Sequence, residues 1–135
     1  MSSAPLVDVK NLSVEFGEGD SATRVVKGVS FNIAKGETVA LVGESGSGKT
    51  VSALSILKLL PSSASHPTGE IWFEGTDILK ADERAMRTIR GDKISIIFQE
   101  PMTTLNPLHT IEKQVGEIIK LHRTVSDAEV RTRVI

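Results

Sequence analysis

Apolar residues alternate from Val7 and Val9 to Leu12, Val14 and Phe16, and the alternation changes phase near Asn11. Period two marks a half-buried strand, and a phase change within it predicts a bulge. Loop-type residues follow at Gly17-Glu18-Gly19-Asp20-Ser21, and then Val25, Val29, Phe31 and Ile33 resume the alternation. The opening therefore reads as an antiparallel hairpin. Lys35-Gly36-Glu37 turns the chain into Thr38-Val39-Ala40-Leu41-Val42, an uninterrupted run of the kind found in strands buried on both faces. Val51, Leu54, Leu57 and Leu60 then recur at helical spacing until Pro61, which predicts a helix over 51–60.

Residues 61–68 read as a Ser/Pro linker, and Ile71 and Phe73 alternate before a Glu74-Gly75 turn. A short polar helix is predicted from Asp82 to Arg90, closed by Gly91, and Ile94-Ser95-Ile96-Ile97-Phe98 reads as a second buried strand. Thr110 is placed to cap a helix bearing Ile111, Val115, Ile118 and His122. Ser126-Asp127-Ala128-Glu129 fits a capping box, after which Val130 and Val134 want something to cover them. The chain's end reads as a cut through a helix. The sum is an α/β class: an antiparallel β subdomain over 1–37, part of a parallel nucleotide-binding core over 38–100, and the start of a truncated helical subdomain over 101–135.

The chemistry concentrates between the first buried run and the first helix. Gly43-Glu44-Ser45-Gly46-Ser47-Gly48-Lys49-Thr50 fits G-x-x-x-x-G-K-[ST] in a strand-loop-helix context. Such a loop aims backbone N–H groups inward, which needs conformations and close approaches that glycine permits at Gly43, Gly46 and Gly48. It leads into a helix N-terminus, where orphan N–H groups and the positive end of the dipole favour an anion. Lys49 adds a full charge toward the β- and γ-phosphates, and the Thr50 hydroxyl can ligate Mg²⁺. The ligand so implied is a Mg-nucleoside triphosphate. Farther on, Gln99 follows the second buried run, where it could reach a metal or an attacking water.

Composition narrows the field. The chain has 135 residues, is 39% hydrophobic, carries a net charge of −1 and contains no Cys. It therefore has no basic footprint for nucleic acid, and thiolate catalysis and disulfides are excluded. The first five residues do not resemble a secretory signal, and no apolar run approaches the roughly 20 residues of a membrane helix. His66, His109 and His122 are scattered and read as loop and surface residues, and Trp72 reads as strand packing.

With the phosphate loop, Gln99 and an aromatic at Phe16 in this order, residues 6–125 resemble the nucleotide-binding subunit of ATP-binding cassette transporters. Phe98-Gln99-Glu100-Pro101-Met102-Thr103-Thr104-Leu105-Asn106-Pro107 is similar to the oligopeptide, dipeptide and nickel importer branch. Leu108-His109-Thr110-Ile111-Glu112-Lys113-Gln114 is similar to microcin C type peptide importers, whose ATPase has two cassettes in one chain. The resemblance implies a P-loop NTPase fold and ATP with Mg²⁺. It implies that Phe16 stacks on adenine with Val25 as a second base contact, that Lys49 and Gln99 are catalytic, and that Thr50 and Gln99 reach the metal. The implied partners are membrane permease subunits, a second cassette in a dimer or tandem, and indirectly an extracytoplasmic solute-binding protein. The implied location is peripheral, on the cytoplasmic face of the inner membrane. The implied function is ATP-driven uptake of peptides or peptide-like solutes.

No L-S-G-G-Q signature, no apolar strand ending in Asp-Glu and no switch His follows Gln99. The segment alone is therefore expected not to hydrolyse ATP, because nothing in it polarises the attacking water. An ATP-binding cassette of the DNA-repair or translation type is the alternative, and it predicts basic insertions that this sequence lacks. A phosphate-loop kinase or GTPase predicts no hairpin with a base-stacking aromatic before the loop.

Overall fold

The computed structural model describes residues 4–135, the side chain of Pro101 excepted. The chain forms two compact units, Met1–Met86 and Arg87–Ile135.

In the first unit, β1 (Val7–Phe16) and β2 (Thr23–Ile33) form the predicted antiparallel hairpin. β3 (Ala64–Ser65) pairs with the end of β1, β4 (Glu70–Phe73) with its start, and β5 (Thr76–Asp77) with β4, all antiparallel, giving the order β2-β1-β4-β5. Val9, Leu12, Val14, Val26 and Ile71 are almost wholly buried along the sheet. Each contributes about 1.5–3 kcal/mol by leaving water. Glu74 and Gly75 both take positive φ (46° and 79°), the pattern of a two-residue hairpin turn, as the sequence predicts.

The hairpin is irregular where the phase change predicts it. Val9 faces Phe31 but Leu12 faces Val29, so β1 carries an extra residue beside Asn11, whose φ is 46°. Two further irregularities lie in β2. Leu12–Val29 is followed by Val14–Val26, with Gly28 at φ 70°, and Val14–Val26 is followed by Glu15–Arg24, which leaves Val25 without an opposite number.

The predicted strand over 38–42 is not formed as a paired strand, and these residues have no regular structure. A strand is made by its neighbours, and no described segment pairs with this one. Val39, Leu41 and Val42 accordingly stay 40, 43 and 90% exposed. The run at 94–98 shares this fate, apart from one parallel bridge between Arg90 and Ile94. Ile97 is 91% exposed and Phe98 47%.

The first helix, α1 (Lys49–Ile56), begins earlier than the sequence predicts and stops four residues before Leu60. Pro61 is not its terminator, because Lys58 already turns left-handed at φ 49°. The predicted Val51/Leu54 face is only half-buried, while Ser52, Ser55 and Leu57 are the buried positions. Small hydroxyl residues let the helix backbone lie close, and each hydroxyl donates back to the carbonyl four residues earlier, Ser52 to Gly48 and Ser55 to Val51.

α2 (Glu83–Ile89) starts at Asp82, whose carboxylate accepts the Ala85 N–H at 2.8 Å, and ends before Gly91 at φ 84°. In the second unit, α3 (Ile111–His122) is capped by Thr110, and α4 (Asp127–Val134) by the complete Ser126/Glu129 capping box. The apolar stripe predicted on α3 is exposed, with Ile111 at 56%, Val115 at 40% and Ile118 at 57%. Its buried position is Gly116, where an added Cβ would stand 2.9 Å from a methyl of Val130. Val130, expected to lack a cover, is thus covered by α3.

Candidate functional site

Residues 43–50 lie in the first unit and run from the exposed segment into α1. Gly46 and Gly48 have φ of 77° and 88°, left-handed conformations that side chains resist. Gly43 has a different reason to be glycine, since a Cβ there would sit 2.7 Å from the Ser47 hydroxyl. Gly48 combines both reasons: its Cβ would meet a Val26 methyl at 2.9 Å and the Val25 carbonyl at 3.1 Å. The unmatched residue of β2 therefore abuts the cap of the helix, and the bulge is what brings that strand to the loop.

Gly48 caps α1 without a side chain. Ser52 N–H makes the first intrahelical bond, to the Gly48 carbonyl at 2.8 Å, so the donors of Lys49, Thr50 and Val51 precede the helical ladder. The Lys49 ammonium folds over the loop and donates to the Gly43 carbonyl at 2.6 Å, to the Glu44 carbonyl and to the Ser47 hydroxyl at 3.1 Å. Among the described residues it forms no ion pair. Thr50 is exposed in the first helical turn, and Glu44, Ser45 and Ser47 are exposed on the loop. Chemically this is a full positive charge held only by neutral acceptors, beside uncapped donors of a helix start. An anion can displace the carbonyls and gain all of these groups at once.

Of the other sequence-predicted residues, Phe16 is half-buried as the last residue of β1, set opposite Thr23 and Ala64. Gln99 is exposed in the second unit and lines a cleft of about 390 Å³ with Phe98, Glu100, Thr103 and Thr104. A cleft of about 650 Å³ between α3 and α4 is larger, but Lys120 pairs with Asp127 at 2.6 Å and Arg131 with Glu112 at 3.5 Å. It offers a polyphosphate little unbalanced charge, so the chemistry favours the loop.

Sequence reasoning missed the support beneath the loop. Ser55 is fully buried on α1 and lies 3.1 Å from Nε2 of His66, and Lys58 Nζ donates to the Leu79 and Ala81 carbonyls. The consecutive apolar pair Val25-Val26, which breaks the alternation of β2, was the available signal for the bulge.

The sequence model of the family described as ABC transporter matches residues 26–135. The chain belongs to that family. It is 58% identical over 132 residues to the peptidoglycan transport ATP-binding protein YejF of Agrobacterium fabrum, covering 97% of this chain and 24% of that protein. It is 40% identical to the oligopeptide transport ATP-binding protein OppD of Bacillus subtilis, covering 96% of this chain and 37% of the relative. The chain thus spans about a quarter to two fifths of the curated relatives' length. Among solved structures it is similar to the ATP-binding cassette MJ0796 in a dimeric post-hydrolysis state bound to ADP and Pi, with a TM-score of 0.80 and 29% identity over 95% of this chain and 53% of that one. The fold is therefore that of part of an ABC cassette, an α/β P-loop NTPase, with its five-stranded antiparallel sheet formed by β1 to β5. Among the described residues, no helix is long and apolar enough to cross a membrane.

Proposed function

We propose that this chain carries the phosphate-binding half of an ATP-hydrolysing subunit that powers a membrane importer of peptides or peptide-like solutes. The observation that carries the reading is the Lys49 ammonium, without a carboxylate partner among the described residues, at an uncapped helix start, gathered by a loop in which Gly46 and Gly48 take left-handed φ and Gly48 is also packed against β2. In this reading Gly43, Glu44, Ser45, Gly46, Ser47, Gly48, Lys49 and Thr50 hold the phosphates, Phe16 and Val25 face the base, and Thr50 with Gln99 holds Mg²⁺. The donor set suits both groups, since a hydroxyl and a neutral amide oxygen are hard ligands and the loop supplies the positive charge. Held there by Thr50 and Gln99, Mg²⁺ would supply positive charge to offset the charge that develops in phosphoryl transfer.

Residues 1–37, 38–100 and 101–135 are read as the β subdomain, part of the core and the start of the helical subdomain. Gln99 and the exposed Met102 and Leu105 face the permease, and a second cassette completes the site. Names of relatives such as oligopeptide transport ATP-binding protein support the transport reading. The protein would then work at the cytoplasmic face of the membrane, and this segment by itself would bind nucleotide without turning it over.

The test is a calorimetric titration of Mg-ATP into this chain and its Lys49→Ala variant, with phosphate release followed in the same samples. Loss of a charge-assisted contact of about 1.5–3 kcal/mol is expected to weaken binding about tenfold or more, with no release from either sample. Equal affinities would overturn the role of Lys49, and release of phosphate would overturn the assignment of turnover to the longer protein.

A further inference from the structure

We propose that His66 is a positioning residue for the nucleotide site, tying the helix that carries Lys49 and Thr50 to the strand layer through Ser55. The inference rests on the reading of residues 43–50 as the nucleotide site. Its geometry is independent of that reading.

Ser55 Oγ donates to the Val51 carbonyl at 2.9 Å, so its only hydrogen is committed. It can therefore only accept from His66 Nε2 at 3.1 Å, which fixes the proton of the neutral ring on Nε2. Two residues along, Thr68 Oγ1 donates to the Asn11 carbonyl at 3.2 Å and shares a hydroxyl–hydroxyl hydrogen bond of 2.8 Å with Ser13 Oγ, and the Ser13 N–H donates to the Thr68 carbonyl at 3.0 Å. Ser13 Oγ in turn accepts the Gly28 N–H of β2 at 3.1 Å. At Gly69 the chain runs so close to β1 that a Cβ would stand 2.6 Å from the Leu12 Cα, so this segment has no room to slide. His66 thus adds a tie between a segment fixed on β1 and a helix whose buried face includes two serines, beside the contact of Gly48 with β2. Val51, the other end of the Ser55 bond, is next to Thr50.

Nε2–H donates to Ser55 in both the neutral and the protonated ring, so what protonation changes is the cost of holding the ring in place. Burial and the nearby Lys58 charge hold the His66 pKa below its ordinary 6.5. Because the folded value lies below the unfolded one, the stability contributed by the docked ring is whole above about pH 6.5 and is lost as pH falls below it, since the released ring takes up a proton more readily than one held near Lys58.

The experiment compares the wild-type chain with His66→Ala, His66→Gln, Ser55→Ala and the Ser55→Ala/His66→Ala double variant. Amide hydrogen exchange at residues 52–59 and Mg-ATP affinity are both measured. Losing the net value of one hydrogen bond is expected to speed exchange there about threefold to tenfold in His66→Ala and to weaken Mg-ATP by up to the same factor. Gln, whose amide N–H reaches a similar point, is expected to restore both, and the double variant to be no worse than the singles. Below about pH 6.5 the wild type is expected to lose protection relative to His66→Gln. Unchanged exchange in His66→Ala would overturn the tie, whatever nucleotide does. Faster exchange with unaltered Mg-ATP affinity would overturn its positioning role. Failure of the wild type to bind Mg-ATP would overturn the nucleotide reading and with it the positioning role, leaving exchange to judge the tie.

Discussion

Replacing Gly48 by alanine tests the junction between the loop and the bulged strand, and the structure supplies both terms of the cost. The first is conformational, because a non-glycine residue at φ 88° costs about 1–2 kcal/mol. The second is steric. The new methyl meets a Val26 methyl at 2.9 Å and the Val25 carbonyl at 3.1 Å, and neither belongs to a flexible side chain that can swing away. Overpacking of this kind costs about 1–3 kcal/mol, for a total of about 2–5 kcal/mol. Gly46→Ala is the control. Its φ of 77° is equally left-handed, but nothing lies within 4 Å of its Cβ, so only the first term applies. Urea unfolding followed by fluorescence of Trp72, the single tryptophan and a β4 residue in the same unit, gives both numbers. Gly48→Ala should be the less stable by about 1–3 kcal/mol. Two variants equal to within about 0.5 kcal/mol would mean that β2 does not press on the helix cap.

Two further outcomes are expected. Asp77 lies 2.8 Å from Lys80 and is held below its ordinary pKa of 3.8, first by the hydrogen bond from that ammonium. With the folded value below the unfolded one, its contribution is whole above about pH 3.8 and fades below it, so urea midpoints of wild type and Asp77→Asn should converge toward about pH 2; a constant gap would contradict this. Ser126→Ala removes the hydroxyl that accepts the Glu129 N–H, leaving the Glu129 carboxylate on the residue 126 N–H, and should cost α4 about 0.5–2 kcal/mol, seen as faster amide exchange at Val130 and Thr132; unchanged exchange there would refute the cap's importance.

What could be read from the sequence divides along a physical line. Features set by neighbours in the chain were legible: the bulge at Asn11, the turn at Glu74-Gly75, the caps at Thr110 and Ser126, and a glycine loop leading into a helix start at Lys49. The runs 38–42 and 94–98 were read as buried strands because they are apolar, but apolarity does not name a partner, and without one they remain exposed. The end of α1 was misplaced because Pro61 is a loud signal, whereas a lysine turning left-handed at Lys58 has none. The burial of Ser52 and Ser55 in place of Val51 and Leu54 reflects how closely a helix lies on its neighbours, which periodicity does not encode. His66 does lie in a loop, as its sequence suggests, but half-buried against Ser55, a partner eleven residues away on α1 that nothing in the local sequence names.

The unmatched Val25 also bears on which changes of chain length this hairpin can survive. Residues 17–22 join the two strands at an exposed bend, where a residue gained or lost alters only the path of the connection. Deleting Val25 would instead remove the bulge and bring the strand back into step, leaving Arg24 opposite Glu15 but withdrawing the carbonyl that abuts Gly48. Insertions and deletions among relatives should therefore collect in the bend and stop short of residue 25, so that a length difference of a single residue marks where the strand answers to the loop ahead of α1.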